Sequence, residues 1–272
     1  MTSKRRKAII RRRIFICCCL AAIILAGSLI GIIISSISNA FKNGDNDTVS
    51  EPVTQVDKIE SEIPKDDTPA LNSYGLDTKY ERLILVNPDN PLPEDYNYEG
   101  NLVSIPKEYI NGSLSQLDKD MWEYLKVMMD EAKKQGINLY VRSPYRSYAT
   151  QKMLYDNQVQ KQLNSGVSAE EAPDKAASIV ARPGTSEHHT GLAVDFNIAD
   201  ISFNNTKEAN WLKENAHNFG FILRYPEGTT ETTKVIYEPW HYRFVGIEHA
   251  QKIKNLGITF EEYHEKYISK TN

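Results

Sequence analysis

Residues 14–37 contain no charged side chain and no proline. No other stretch restricts the chain as strongly, because an apolar run of this length must be removed from water as a whole. As a helix rising about 1.5 Å per residue, it would cross a hydrocarbon core of about 30 Å. The residues before it include Lys4, Arg5, Arg6, Lys7, Arg11, Arg12 and Arg13 and no acid. A positive flank stays in the cytoplasm, so everything beyond the run is expected outside the membrane. Residues 1–13 thus read as a basic cytoplasmic N-terminus and 14–37 as a single-pass transmembrane anchor. A cleaved signal peptide is the alternative, and the small residues around Ser35 and Ala40 keep it open.

All three cysteines, Cys17, Cys18 and Cys19, fall inside this run. The external part therefore folds without disulfides. The triplet is either apolar filler or a site of acylation. Gly27 and Gly31 form a lone Gly-x-x-x-Gly spacing, which by itself defines no oligomer. With the basic N-terminus set aside, the rest of the chain is acidic, which excludes a nucleic-acid-binding body.

Residues 38–73 read as an acidic, disordered linker. From Lys42 to Asp67 there are eight acids against three lysines and no aromatic residue, too little apolar surface to order a segment. The folded domain is expected over residues 74–272. Residues 81–87 (Glu-Arg-Leu-Ile-Leu-Val-Asn) read as a short strand, followed by a proline-rich loop. Ser113 with Gln116 suggests a capping box opening a helix, with Leu117, Met121, Tyr124, Leu125, Met128 and Ala132 on one face and Gly136 at its end. Further strands are expected at 137–142, 192–196, 221–224 and 242–245. Further helices are expected at 147–163, 169–177, 206–219, 247–255 and 260–267. Helices and strands mix without a βαβ rhythm, so the fold class is α+β.

Three segments concentrate chemistry. One runs from Arg182 through Ser186, His188, His189 and Gly191 to Asp195; a second is Glu238-Pro-Trp-His241; a third runs from Ser143 through Arg146 to Gln151. Each adjoins an expected strand, so all three could meet at one sheet edge. A catalytic zinc takes three protein ligands and keeps one open position. Without external cysteines, histidine and carboxylate must serve, and His188, Asp195 and His241 would supply two imidazoles and one carboxylate. Glu238 is the candidate base, and Arg146 could face a developing oxyanion. The plain alternatives are a polar turn for His188 and His189, a strand-end cap for Asp195, and surface charges for Glu238 and Arg146.

At these residues the chain resembles the VanY-like D-alanyl-D-alanine carboxypeptidases. These are zinc peptidases grouped with VanX-type dipeptidases, lysostaphin-like enzymes and the hedgehog signalling fold. The pattern Ser-x-His-x-x-Gly-x-Ala-x-Asp is complete as Ser186, His188, Gly191, Ala193 and Asp195. Glu-x-x-His stands as Glu238 and His241, and Tyr-Arg-Ser with a following glutamine as Tyr145, Arg146, Ser147 and Gln151. The likeness covers roughly residues 83–256. It implies a small, mainly antiparallel sheet flanked by helices, preceded here by the one transmembrane helix. It also implies one Zn2+ held by His188, Asp195 and His241, Glu238 as general base, and Arg146 as the group that polarises the scissile carbonyl. Gln151 and Ser186, with Arg146, would bind substrate; His189 would support the site or pack locally.

The function so implied is a membrane-anchored carboxypeptidase that removes the terminal D-Ala from peptidoglycan stem peptides or their precursors. An L,D-carboxypeptidase acting on tetrapeptide stems is the alternative. A catalytically silent wall-binding module is a third reading, which the presence of all four metal and base residues disfavours.

Overall fold

The computed structural model describes residues 76–96, 98 and 102–269. The N-terminus, anchor and linker expected at 1–73 lie outside the described residues. Among those described, no helix is long and apolar enough to cross a membrane. In chain order the elements are β1 (Leu102–Ser104), β2 (Gln116–Asp118), α1 (Lys119–Lys134), β3 (Val141–Ser143), α2 (Tyr148–Asn164) and α3 (Ala172–Ala177). A 3-10 turn at Glu187–Thr190 leads into β4 (Ala193–Phe196). Then come α4 (Lys207–Asn215), β5 (Phe221–Leu223), α5 (Thr230–Thr233), β6 (His241–Phe244), α6 (Ile247–Leu256) and α7 (Phe260–Tyr263).

β3, β4, β6 and β5 lie side by side in that order, antiparallel throughout, and β1 and β2 form a separate antiparallel pair. The small antiparallel sheet among helices is the α+β arrangement that the sequence suggests. Side chains alternate across a strand, so two faces follow from the register. Val194 and Phe196 on β4, with Tyr242 and Phe244 on β6, point into the main core. There they meet the apolar stripe of α1, including Met121, Tyr124, Leu125 and Met128. Asp195 and His241 are register partners on the opposite face. Beside them on that face, Ile222 joins Val245, Ala250, Phe260 and Tyr263 in a second cluster under α6 and α7. One sheet thus buries a core on one side and carries polar groups on part of the other.

Three local expectations change. The helix expected from Ser113 begins at Lys119, because residues 116–118 pair with β1 and Asp118 is the N-cap, accepting from Met121 N at 2.9 Å. Leu117 is buried, but from a strand. The strand expected at 137–142 forms later and shorter, as β3 at Val141–Ser143. Among the described residues, 81–86 pair with no strand and Asn87 only bridges Asn90, although Leu83 and Leu85 do pack on the second cluster. Their backbone is bound by a side chain instead: Arg243 Nη2 donates to Arg82 O at 3.2 Å and Ile84 O at 2.8 Å. His217, His249 and His264 are half-buried.

Candidate active site

The turn at Glu187–Thr190 exists because Gly191 ends it at φ 70°, in the left-handed region. A Cβ on Gly191 would also lie 3.2 Å from Asp118 N. From there β4 carries Asp195 to its place opposite His241. His188 Nδ1 donates to Pro144 O at 2.7 Å, which leaves Nε2 as the lone-pair nitrogen, 3.4 Å from Asp195 Oδ2. His241 turns its Nδ1 inward, 3.0 Å from Asp195 Oδ1 and 3.4 Å from Glu238 Oε2. One ligand-capable atom from each of His188, Asp195 and His241 falls within 4.8 Å of the others, and all three residues are buried.

The donors suit a metal ion. His188 Nε2 and Asp195 Oδ1 are buried and make no hydrogen bond, and orphaned buried polar atoms are costly unless something binds them. Burial, reinforced by the Arg146 charge, pulls His188 down to about 4, so it is a neutral nitrogen donor at neutral pH. Burial opposes charge on His241 as well, but contacts with Asp195 and Glu187 outweigh it and hold the ring up at about 9. Burial likewise opposes the ionised form of Asp195, yet the two histidines keep its carboxyl well below the usual range. Burial pushes Glu238 up to about 7, against the pull of His241 and Arg146.

These groups line a cleft of ≈ 1090 Å³, with Ser186, Trp240 and Tyr225 on its walls. Arg146 reaches in from the loop before α2, its Nη2 3.9 Å from Asp195 Oδ2. Its backbone N–H donates to His188 O at 3.1 Å, which locks the loop to the 3-10 turn. His189 points away from the ligand atoms. Its Nδ1 donates to Arg146 O at 2.8 Å and its Nε2 accepts from Gly184 N at 3.1 Å. The structure thus assembles His188, Asp195, His241, Glu238, Arg146 and Ser186. Gln151 differs: it is fully buried outside the cleft lining, and its Nε2 donates to Ala181 O at 2.6 Å.

Sequence reasoning missed a second layer behind the cleft. Glu187 is completely buried, and its Oε1 accepts from Arg224 Nε at 2.8 Å and Arg243 Nη1 at 2.9 Å. Burial alone would raise the Glu187 carboxyl, but the two guanidiniums hold it well below the usual range. Arg224 is gripped from its other side by both oxygens of Glu261, at 2.8 and 2.5 Å. The available signal was an arginine inside each of two apolar stretches, Phe221–Arg224 and His241–Val245, since a buried charge requires a partner.

Two imidazoles and a carboxylate converging below an open cleft, with a further carboxylate and an arginine beside them, define a metal-dependent hydrolase. The sequence profile of VanY, D-alanyl-D-alanine carboxypeptidase, matches residues 114–247. A D-alanyl-D-alanine carboxypeptidase of Enterococcus faecalis is 40% identical over 203 residues, covering 75% of this chain and 73% of that protein. Among solved structures, a point mutant of a VanY D,D-pentapeptidase from a VanB-type resistance cassette, in complex with Zn(II), shares 40% identity at a TM-score of 0.59. That comparison covers 66% of this chain and 97% of that one. VanYB in complex with D-alanine-D-alanine shares 39% identity at a TM-score of 0.60, covering 68% and 98%. The chain belongs to the VanY family of D-alanyl-D-alanine carboxypeptidases.

Proposed function

We propose that this protein is a membrane-anchored zinc D,D-carboxypeptidase that releases the terminal D-Ala from peptidoglycan stem peptides or their precursors. The observation that carries the reading is the convergence of His188, Asp195 and His241 within 4.8 Å on the wall of the cleft that also holds Glu238 and Arg146. His188 Nε2, a carboxylate oxygen of Asp195 and His241 Nδ1 would hold the ion. When bound, zinc supplies Lewis-acid chemistry at neutral pH.

The chain's own groups do the rest. Glu238 Oε2 takes a proton from the attacking water and passes it to the departing D-Ala nitrogen as the C–N bond breaks. The products are a shortened stem with a new carboxylate and free D-Ala. Arg146 faces the place where negative charge builds up on the carbonyl oxygen and stabilises it there. Its own partner in the resting site, Asp195, is 3.9 Å away, so the guanidinium is positioned without being neutralised by a close pair. Ser186, at the cleft wall, contributes to holding the substrate terminus. Gln151 would act on substrate only by shaping the Ala181 loop that it binds.

A second reading has one observation in its favour. The LD-carboxypeptidase LdcB shares 38% identity at a TM-score of 0.59, nearly the same figures as the VanY structures. The same ligand set and base would serve an L,D-carboxypeptidase, because the chemistry at the bond is common to both.

The membrane reading rests on the uncharged run at 14–37 and its basic flank. A topology reporter fused after residue 73 should be active only outside the cytoplasm; activity inside would reverse the orientation. The test of the catalytic reading is alanine release by the purified full chain. A pentapeptide stem ending in D-Ala-D-Ala should lose one D-Ala, and Glu238→Ala should not release it. Release from a tetrapeptide stem alone would replace the D,D assignment with the L,D one.

A further inference from the structure

The two histidines of the cluster face it through different nitrogens. His188 offers Nε2 because its Nδ1 is committed to Pro144 O. His241 faces Asp195 and Glu238 with Nδ1, so its proton must sit on Nε2 whenever Nδ1 donates a lone pair. That Nε2 is buried and makes no hydrogen bond. The buried polar atom facing it is Glu187 Oε2, 3.8 Å away, which also makes none. Each orphan offers what the other needs.

We propose that Glu187 is a positioning residue, whose Oε2 accepts the Nε2–H of His241 and fixes that ring with Nδ1 toward the metal. The inference rests on the zinc reading given above. Glu187 would do for His241 what the Pro144 carbonyl does for His188, and a carboxylate in this role also strengthens the histidine as a donor. The arginines supply what makes it precise. Oε1 is occupied by donors from Arg224 and Arg243, so only Oε2 is left for the imidazole. Arg224 is itself fixed by Glu261, and Arg243 by the carbonyls of Arg82 and Ile84. The charge of Glu187 is thus compensated from behind, and its free oxygen has one direction to face.

The same arrangement makes Glu187→Gln a sharp test. Guanidiniums only donate, so they would hold the amide oxygen at the Oε1 position and turn the amide NH2 toward His241. A donor there favours the tautomer with Nε2 unprotonated and Nδ1–H, which cannot bind a metal through Nδ1. In the full chain, zinc affinity measured by chelator competition should fall about 10- to 100-fold in Glu187→Gln. Zinc binding as tight as in the parent protein would overturn the proposal, whatever happens to thermal stability. Absence of zinc binding in the parent would instead overturn the metal reading on which it depends.

If the variant fails to fold, nitrogen-15 histidine spectra of the zinc-loaded parent decide the matter. The expected result is metal on Nδ1 of His241 and a slowly exchanging Nε2–H. Metal on Nε2, or a freely exchanging ring proton, would overturn the proposal.

Discussion

Asp195 and His241 are direct partners across β4 and β6, and their side chains meet at 3.0 Å between Oδ1 and Nδ1. Two of the three ligand candidates are therefore placed by a strand register rather than by loops. A slip of one residue in either strand would send its ligand to the core face and bring an apolar neighbour, Val194 on β4 or Tyr242 on β6, to the cleft. The apolar residues between them thus protect the site: the core cannot form in the wrong register without burying charge.

Removal of the metal should abolish activity. Dialysis against a strong chelator is expected to stop D-Ala release, and zinc should restore it. Zinc should also raise the thermal midpoint of the metal-free protein, because a ligand that binds only the folded state stabilises it. Full activity in a preparation shown by elemental analysis to contain no metal would exclude the mechanism.

Glu238→Gln should keep the metal and lose the chemistry. The side chain is nearly isosteric but cannot take a proton, so kcat should fall by about 10²-fold or more. Zinc content should match that of the parent. Near-normal turnover in this variant would move the base elsewhere in the cleft.

Arg146→Ala should lower kcat by about 10²- to 10³-fold with little change in KM, because its partner charge develops only in the transition state. A rise in KM with kcat preserved would assign the guanidinium to ground-state binding.

The pH profile should show an acid limb. Burial raises Glu238 to about 7, and the base works only when ionised, so kcat/KM should rise as pH rises through its pKa. A bound cation nearby favours the carboxylate, so the limb is expected at or below about pH 7 in the zinc enzyme. Activity that increases as pH falls below 5 would contradict an ionised Glu238.

Gly191→Ala should destabilise the protein and the site together. Alanine at φ 70° costs about 1–2 kcal/mol from the backbone alone, before the approach to Asp118 N is counted. Urea unfolding monitored by fluorescence gives the first quantity and D-Ala release the second. An unchanged midpoint would mean that the turn can relax without the left-handed residue.

Much of this was legible in the sequence, for identifiable reasons. The ligand positions sit at fixed spacing around a glycine turn, and that spacing survives folding because a short turn and a strand are both local structures. The stripe from Met121 to Ala132 had a helical period and became α1. What escaped was non-local. The strand β2 could not be told from the first turn of α1, because Leu117 falls on the same periodic face while the partner that decides its fate, β1, lies elsewhere in the chain. Residues 83–86 are the short apolar run of a strand, yet strand pairing requires a neighbour with free backbone groups, and Arg243 binds the carbonyls of Arg82 and Ile84 with its side chain instead. Glu187 carries no local mark in the sequence that sets it apart from a surface charge. Its burial is set by Arg224 and Arg243, which arrive from β5 and β6, and no local pattern joins the three.

The grip of Arg243 on the carbonyls of Arg82 and Ile84 decides where the domain can be cut. Trimming the chain back to residue 86 would look harmless, since no helix or strand of the sheet would be touched. It would nonetheless leave a guanidinium that is sealed from solvent short of two acceptors, and the same guanidinium holds Glu187 behind the cleft. Residues 82–84 are therefore structural members of the catalytic domain, and a shortened form of the enzyme has to begin upstream of them.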